Sequence, residues 1–241
     1  MLTTPIRGKK RGRNQLKPRR LSHGMSIIEL MIGLAIGLFI LAGASAMFVN
    51  IVVNSRQILL ESRINQDLRS TMDLIVRDLR RSGYWGKSLA GTWVSDIGTT
   101  PANPYTTVTR TGSNEIGYAY TQGTEDNEFN AGTEQFGFKL NTTEKSIQMN
   151  LGGSGWQTLT NTDIVRIPDN GFTIAPTETA IDVRAACEKT CPTTNPNCPV
   201  IKVRTYNIVL TGESKANPAI SRTLRSQVRV RNDEISGACP L

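Results

Sequence analysis

Histidine occurs once in the 241 residues, at His23, and nowhere after it. A chain without imidazole beyond its first two dozen residues has no Ser-His-Asp or Cys-His catalytic set and no histidine ligand for a metal. The nucleophile turn G-x-S-x-G and the phosphate-binding glycine loop are missing too, because Gly152, Gly153 and Gly155 in "LGGSGW" fit neither spacing. In "EDNEFNAG", residues 125–132, Asp126, Glu128 and Asn130 alternate, but a calcium loop counted from Asp126 needs glycine at its sixth place and glutamate at its twelfth. Those places hold Ala131 and Gly137, so the stretch reads as a solvated acidic turn. No enzyme activity, no bound metal and no cofactor are expected.

Acidic residues are absent from positions 1–24, which carry eight lysines and arginines. Taking those eight from the total of 28 basic residues leaves 20, against 20 acidic ones, so the formal charge of +8 belongs to the N-terminal segment alone. The rest of the chain is formally neutral, and nucleic acid is not an expected partner, although Arg222, Arg225, Arg229 and Arg231 form a local basic strand face. Basic residues ahead of an apolar run stay on the cytoplasmic side of a membrane, which predicts export of the chain beyond that run.

Charge of either sign is absent between Glu29 and Arg56, 26 consecutive residues. About 20 helical residues span a bilayer, so this run is long enough to cross one. A secretory signal is the competing reading, since "ASA" at 44–46 has the form signal peptidase accepts and would release a secreted periplasmic binding domain. The apolar run nevertheless continues past it into "MFVNIVV". Glu29 is the residue neither a signal nor a plain anchor explains. An intramembrane carboxylate costs several kcal/mol unless it meets an opposite charge. Cutting the chain after Gly24 would supply that charge as the α-ammonium of Met25.

The segment "GMSIIELMIGLAIGLFIL", Gly24 onward, resembles the leader and mature start of type IV prepilins and pseudopilins. The resemblance implies cleavage after Gly24 by a prepilin peptidase, N-methylation of Met25, and Glu29 as the fifth mature residue. Two departures from the family pattern are Met25 where phenylalanine is usual and a leader of 24 residues, longer than many. Pairing of Glu29 with the Met25 amine of its own or a neighbouring subunit would set the register of stacked helices, a use to which buried ion pairs are better suited than to stability. Gly33 and Gly37 form G-x-x-x-G, which lets helices approach closely.

Leu60, Ile64, Leu68, Met72, Ile75 and Leu79 recur every three or four residues, one face of a helix. Charged residues from Arg56 to Asp78 occupy the other positions, which predicts a helix over about 26–82, half packed and half exposed, ending before Gly83. "RDLRRSGYWG", 77–86, resembles the corresponding helix end of PilW-type minor pilins, with Tyr84 and Trp85 expected to cover the core there. After Gly83 the texture is β: Ile116, Tyr118 and Tyr120 alternate, as do Phe136, Phe138 and Leu140, and Ile147, Met149 and Leu151, while "VIKVRTYNIVL" and "TLRSQVRVRN" read as longer strands. Residues 86–114 have no clear period and are expected to form an excursion. The expected fold class is α+β, a long N-terminal helix packed on an antiparallel sheet. Its parts are a cleaved basic leader (1–24), a transmembrane assembly helix (25–53), an amphipathic continuation (54–82) and a β-rich head (83–241).

Cysteine is confined to the C-terminal quarter, at Cys187, Cys191, Cys198 and Cys239. In an exported head an even count predicts up to two disulfides, with three pairings open. The spacing C-x3-C-x6-C lacks the paired C-x2-C clamps of a zinc site. The resemblance as a whole implies a minor pilin of a type IV pilus, inserted in the inner membrane with its head periplasmic before assembly and at the cell surface after it. Its implied partners are the prepilin peptidase, other minor pilins and the major pilin, in support of assembly, adhesion and twitching motility. A minor pseudopilin of a type II secretion system would share the leader, helix and head.

Overall fold

The computed structural model describes residues 24–88, 103–123, 128–195, 197–237 and 239–240. Residues 1–23 of the expected leader and Asp126 of the acidic turn lie outside them. One helix, α1 (Ile27–Leu79), runs through two compact units that divide after Val53. In the first unit the apolar side chains of α1 have no cover: Ile27 is 81% exposed and Phe39 84%. This part is long and apolar enough to cross a membrane, with a mean hydropathy of 2.4.

The second unit starts at Asn54 and holds the rest of α1 and ten strands. Ile64, Leu68, Met72, Ile75 and Leu79 are buried, and Leu60 packs partly against the same core. Five of the six periodic apolar residues are thus covered, because spacings of three and four keep them on one face of the helix. The helix ends at Leu79, a little earlier than its charge pattern suggests. A turn follows, and Gly83 adopts φ +73°, a left-handed conformation that disfavours any residue with a Cβ.

Two antiparallel sheets cover this face, where the sequence pattern alone suggested one. The first is a meander of β1 (Thr109–Arg110), β2 (Glu115–Ala119), β3 (Gln135–Asn141), β4 (Ser146–Leu151) and β5 (Trp156–Thr158), each paired with the next. The second is built around β8 (Val200–Ser214). Along one edge of β8 lie β6 (Val165–Arg166) and β7 (Phe172–Asp182), and along the other lie β9 (Ser221–Arg229) and β10 (Glu234–Ser236). Tyr206, Ile208 and Leu210 of β8 point into the core with Phe136, Phe138, Ile116 and Tyr118 of the first sheet. Alternate residues of β8 face away, as the twofold period of a half-buried strand requires.

β7 carries no alternating apolar signal beyond Ile174, and Pro176 sits within it. Proline cannot donate to a ladder, so its position is one that sequence pattern assigns to a loop. It is accommodated because β7 pairs with β8 on one side and meets the first sheet only near Ile174, whose backbone NH donates to Ser113. Within 86–114 the described part is not purely an excursion, since Tyr105 is fully buried beside Trp85 and Ala119.

Helix and sheet approach each other tightly at Gly212 of β8. A Cβ there would lie 2.8 Å from Leu68 Cδ2 and 2.9 Å from Val165 Cγ1. Gly212→Ala is therefore expected to destabilise the second unit by about 1–3 kcal/mol, the usual cost of overpacking. Denaturant unfolding of the full chain in detergent, followed by tyrosine fluorescence, reads this shift.

Candidate functional site: an exposed helix start, a helix-end clamp and a disulfide-bonded terminus

Gly24 and Met25 precede α1 and are exposed. The helix opens with the NH of Leu30 donating to the carbonyl of Ser26 at 3.1 Å, and Glu29 is the one acid in its first turn, where a negative charge is favoured by the helix dipole. Glu29 is itself exposed. A Cβ added to Gly33 or Gly37 would meet nothing within 4 Å, so both positions are open to a neighbour. The residues singled out in this segment thus lie together along one accessible apolar helix.

At its other end α1 is fastened to both sheets. Asp78, which its charged neighbours suggested was exposed, is instead buried at 7% exposure. It accepts hydrogen bonds from the hydroxyls of Tyr118 and Tyr120, the latter at 3.2 Å, and Arg81 approaches it to 3.8 Å. A carboxylate can be buried when donors and a cation replace its water, and no periodicity in the helix reports on donors arriving from a strand. Arg81 also lies over the Tyr120 ring, 4.2 Å from its centroid. Burial, with the Asp78 charge beside it, pushes the Tyr118 hydroxyl well above its ordinary pKa. Burial and then Asp78 push Tyr120 up as well, so both stay protonated donors.

Just beyond, at Arg80 and Ser82, the chain leading out of β9 takes hold. The backbone NH of Arg231 donates to the carbonyl of Arg80, and the Asn232 side chain donates to the carbonyl of Ser82. Gly83 NH donates to Ala119 and Thr121 NH to Tyr84, which joins the turn to the end of β2. Trp85 is buried here, whereas Tyr84 is 44% exposed. The arrangement holds the helix end in register with both sheets. Asp78→Ala would leave two phenolic hydroxyls without their acceptor, an expected loss of about 2–3 kcal/mol. Asp78→Asn, which keeps an acceptor, should lose less, and comparing the two midpoints of unfolding checks the hydrogen-bond origin of the effect.

A second buried acid organises the first sheet. Glu134, 2% exposed, accepts from Tyr105 Oη at 3.0 Å, Gln122 NH at 3.1 Å and Asn130 NH at 2.9 Å. Neither Asp78 nor Glu134 carries a sequence signal apart from its proximity to aromatic residues in alternating runs.

The cysteines pair as Cys187–Cys239 and Cys191–Cys198. The first bond closes the far ends of β7 and β10, on either side of β8. The second closes a short loop between β7 and β8 that contains few apolar side chains. Among the described residues no group of histidine, cysteine and carboxylate side chains could hold a metal ion.

A family model described as prepilin peptidase-dependent protein B matches residues 57–230, the amphipathic part of α1, both sheets as far as β9, and the Asp78 part of the helix-end clamp. The helix start lies outside that match. No curated protein and no solved structure matches the chain.

Proposed function

We propose, since the chain belongs to the pilin-related prepilin peptidase-dependent protein B family, that it is a PilW-like minor pilin of a type IV pilus. The observation that carries this reading is Glu29. It is the one charge in the apolar part of α1, ahead of Arg56, and stands at the fifth position after Gly24. In the proposed sequence of events the chain enters the inner membrane with residues 1–24 cytoplasmic. The prepilin peptidase cuts between Gly24 and Met25 and methylates the new amine. The segment 25–53 then leaves the bilayer sideways into a growing filament, carrying the amphipathic segment 54–82 and the head 83–241 with it. Glu29 neutralises a Met25 ammonium in that bundle, and Gly33 and Gly37 let neighbouring helices close upon one another. The role is structural, with other minor pilins and the major pilin as partners in starting assembly, and adhesion and twitching follow from the pilus rather than from chemistry in this chain.

Several features support the reading. The open glycines and uncovered apolar surface of α1 suit lateral packing, and the clamp around Asp78 gives the head a defined orientation on the amphipathic part of the helix. The short "RDLRRSGYWG" segment, which resembles the helix end of PilW-type minor pilins, supports a subunit of that type. The test is the mature N-terminus, read by mass spectrometry from membranes and sheared pili with and without the prepilin peptidase. A start at Met25, dependent on that peptidase and one methylene heavier than the unmodified chain, is the expected result. A start within 45–47, or an uncut chain, would overturn it.

A further inference from the structure

The second sheet extends past the core. Level with Arg204, where Val230 NH donates to the Arg204 carbonyl and Arg231 NH to Arg80, the helix has ended. Beyond this level β7, β8 and β10 continue as a three-stranded ribbon closed by the Cys187–Cys239 bond. Register places Ile181, Ile201 and Ile235 directly opposite one another, one from each strand. Directly opposed residues share a face. The twofold period carries that face through Val203 and Thr205, on the side away from the core residues Tyr206 and Ile208.

The row is open. Ile235 is 67% exposed and Ile181 47%, while Ile201 and Val203 between and beside them are half-buried. The opposite face of the ribbon is fastened instead. Arg204 Nε donates to Glu178 at 2.8 Å, a second Arg204 nitrogen lies 3.5 Å from Glu234, and Lys202 reaches Glu234 at 3.2 Å. Arg204 also donates to the carbonyl of Thr106 at 3.0 Å. A ribbon with no hydrophobic core beneath its outer face is thus made rigid by a disulfide and an ion-pair network. Rigidity of this kind, given to an exposed apolar row, lowers the entropy lost when a partner binds.

Charge identifies the partner. On the same face, Arg229 lies opposite Thr205, four residues along β8 from Ile201, and Arg231 is exposed just past the strand. Among the described residues only Arg229 of these two has an ion-pair partner, Asp233 at 2.7 Å. Two copies of such a surface would set arginine against arginine, which disfavours self-association. A lipid surface is disfavoured as well, because Ile201 and Val203 are half-buried and leave only Ile181 and Ile235 of the row to enter a bilayer. We propose that this isoleucine row, bordered by Arg229 and Arg231, docks a non-identical subunit of the same assembly through an apolar segment edged by carboxylates. The proposal rests on the minor pilin reading above.

The experiment uses the full chain in cells that make the prepilin peptidase and the other pilins. A benzophenone side chain is placed at position 235 and, as a control on the same face, at position 223. The expected result is an adduct from position 235 and little from 223, with a different pilin subunit, joined at a peptide that holds both apolar residues and Asp or Glu. Adding Ile181→Glu should lower its yield about tenfold, as should Arg231→Glu, the range expected for residues that carry an interface. An adduct with the mass of two copies of this chain, a phospholipid adduct, or equal yields from the two positions would overturn the docking proposal. Absence of any adduct would do the same. The mature N-terminus is read from the same samples: a cut at Met25 with failed docking leaves the pilin reading standing, whereas an uncut chain overturns both.

Discussion

Glu29→Ala is expected to leave membrane insertion and cleavage after Gly24 at their normal levels and to reduce recovery of the chain in sheared pili at least about tenfold. Insertion is driven by the apolar side chains of α1, and removing a carboxylate from such a helix makes transfer into hydrocarbon easier rather than harder. The proposed cleavage lies between Gly24 and Met25, which precede the helix and leave Glu29 outside the cut. Assembly differs because the α-ammonium of Met25, once formed, needs a counter-charge wherever the bundle is dry. Leaving one buried charge unpaired costs about 3–5 kcal/mol, which is why the expected loss is large. Glu29→Asp, with the charge retained on a shorter arm, should be intermediate. The measurement is the ratio of mature chain in pili to mature chain in membranes, and a ratio unchanged in Glu29→Ala would leave the acid without a role.

The second large effect concerns the two disulfides, which differ in what they close. Cys187 and Cys239 are 52 residues apart, and Cys191 and Cys198 are 7 apart. In the chain-entropy view, removing the long crosslink costs about 4 kcal/mol and removing the short one about 2 kcal/mol. The difference has a structural counterpart. Cys239 lies just beyond the three-residue strand β10, which pairs with β8 at only three positions and has no buried side chain of its own. With the bond absent, β10 has its short ladder and the half-buried pairs of Glu234 with Lys202 and Arg204 to hold it, and partly solvated ion pairs contribute less than a long crosslink. The double variant Cys187→Ser/Cys239→Ser should therefore unfold at clearly lower denaturant than Cys191→Ser/Cys198→Ser, each measured on the full chain in detergent. A larger loss from the short loop would mean that local packing, and not loop closure, sets the value of these bonds.

Much of the architecture is written in local features of the chain. Charge asymmetry, the uncharged run with its single acid, and the spacing from Leu60 to Leu79 are properties of consecutive residues, so the apolar helix and its packed face were legible without a fold. The same holds for β2, β3, β4, β8 and β9, whose alternation shows which side is buried. Fold class follows from these elements together, because a helix with one apolar face and strands with one apolar face have few ways to cover each other.

What tertiary structure alone decided depends on residues far apart in the chain. Asp78 looked like another surface charge until Tyr118 of β2 and Tyr120 just past it arrived to satisfy it. β7 carries no strand signal of its own, since Pro176 and its polar neighbours acquire strand geometry only from pairing with β8. Three cysteine pairings were open, and closure of β7 against β10 selected one. The division into two sheets and the isoleucine row have the same origin. A shift of one residue in strand register would turn Ile181, Ile201 and Ile235 to different faces, and register is a relation between strands that no single stretch of sequence contains.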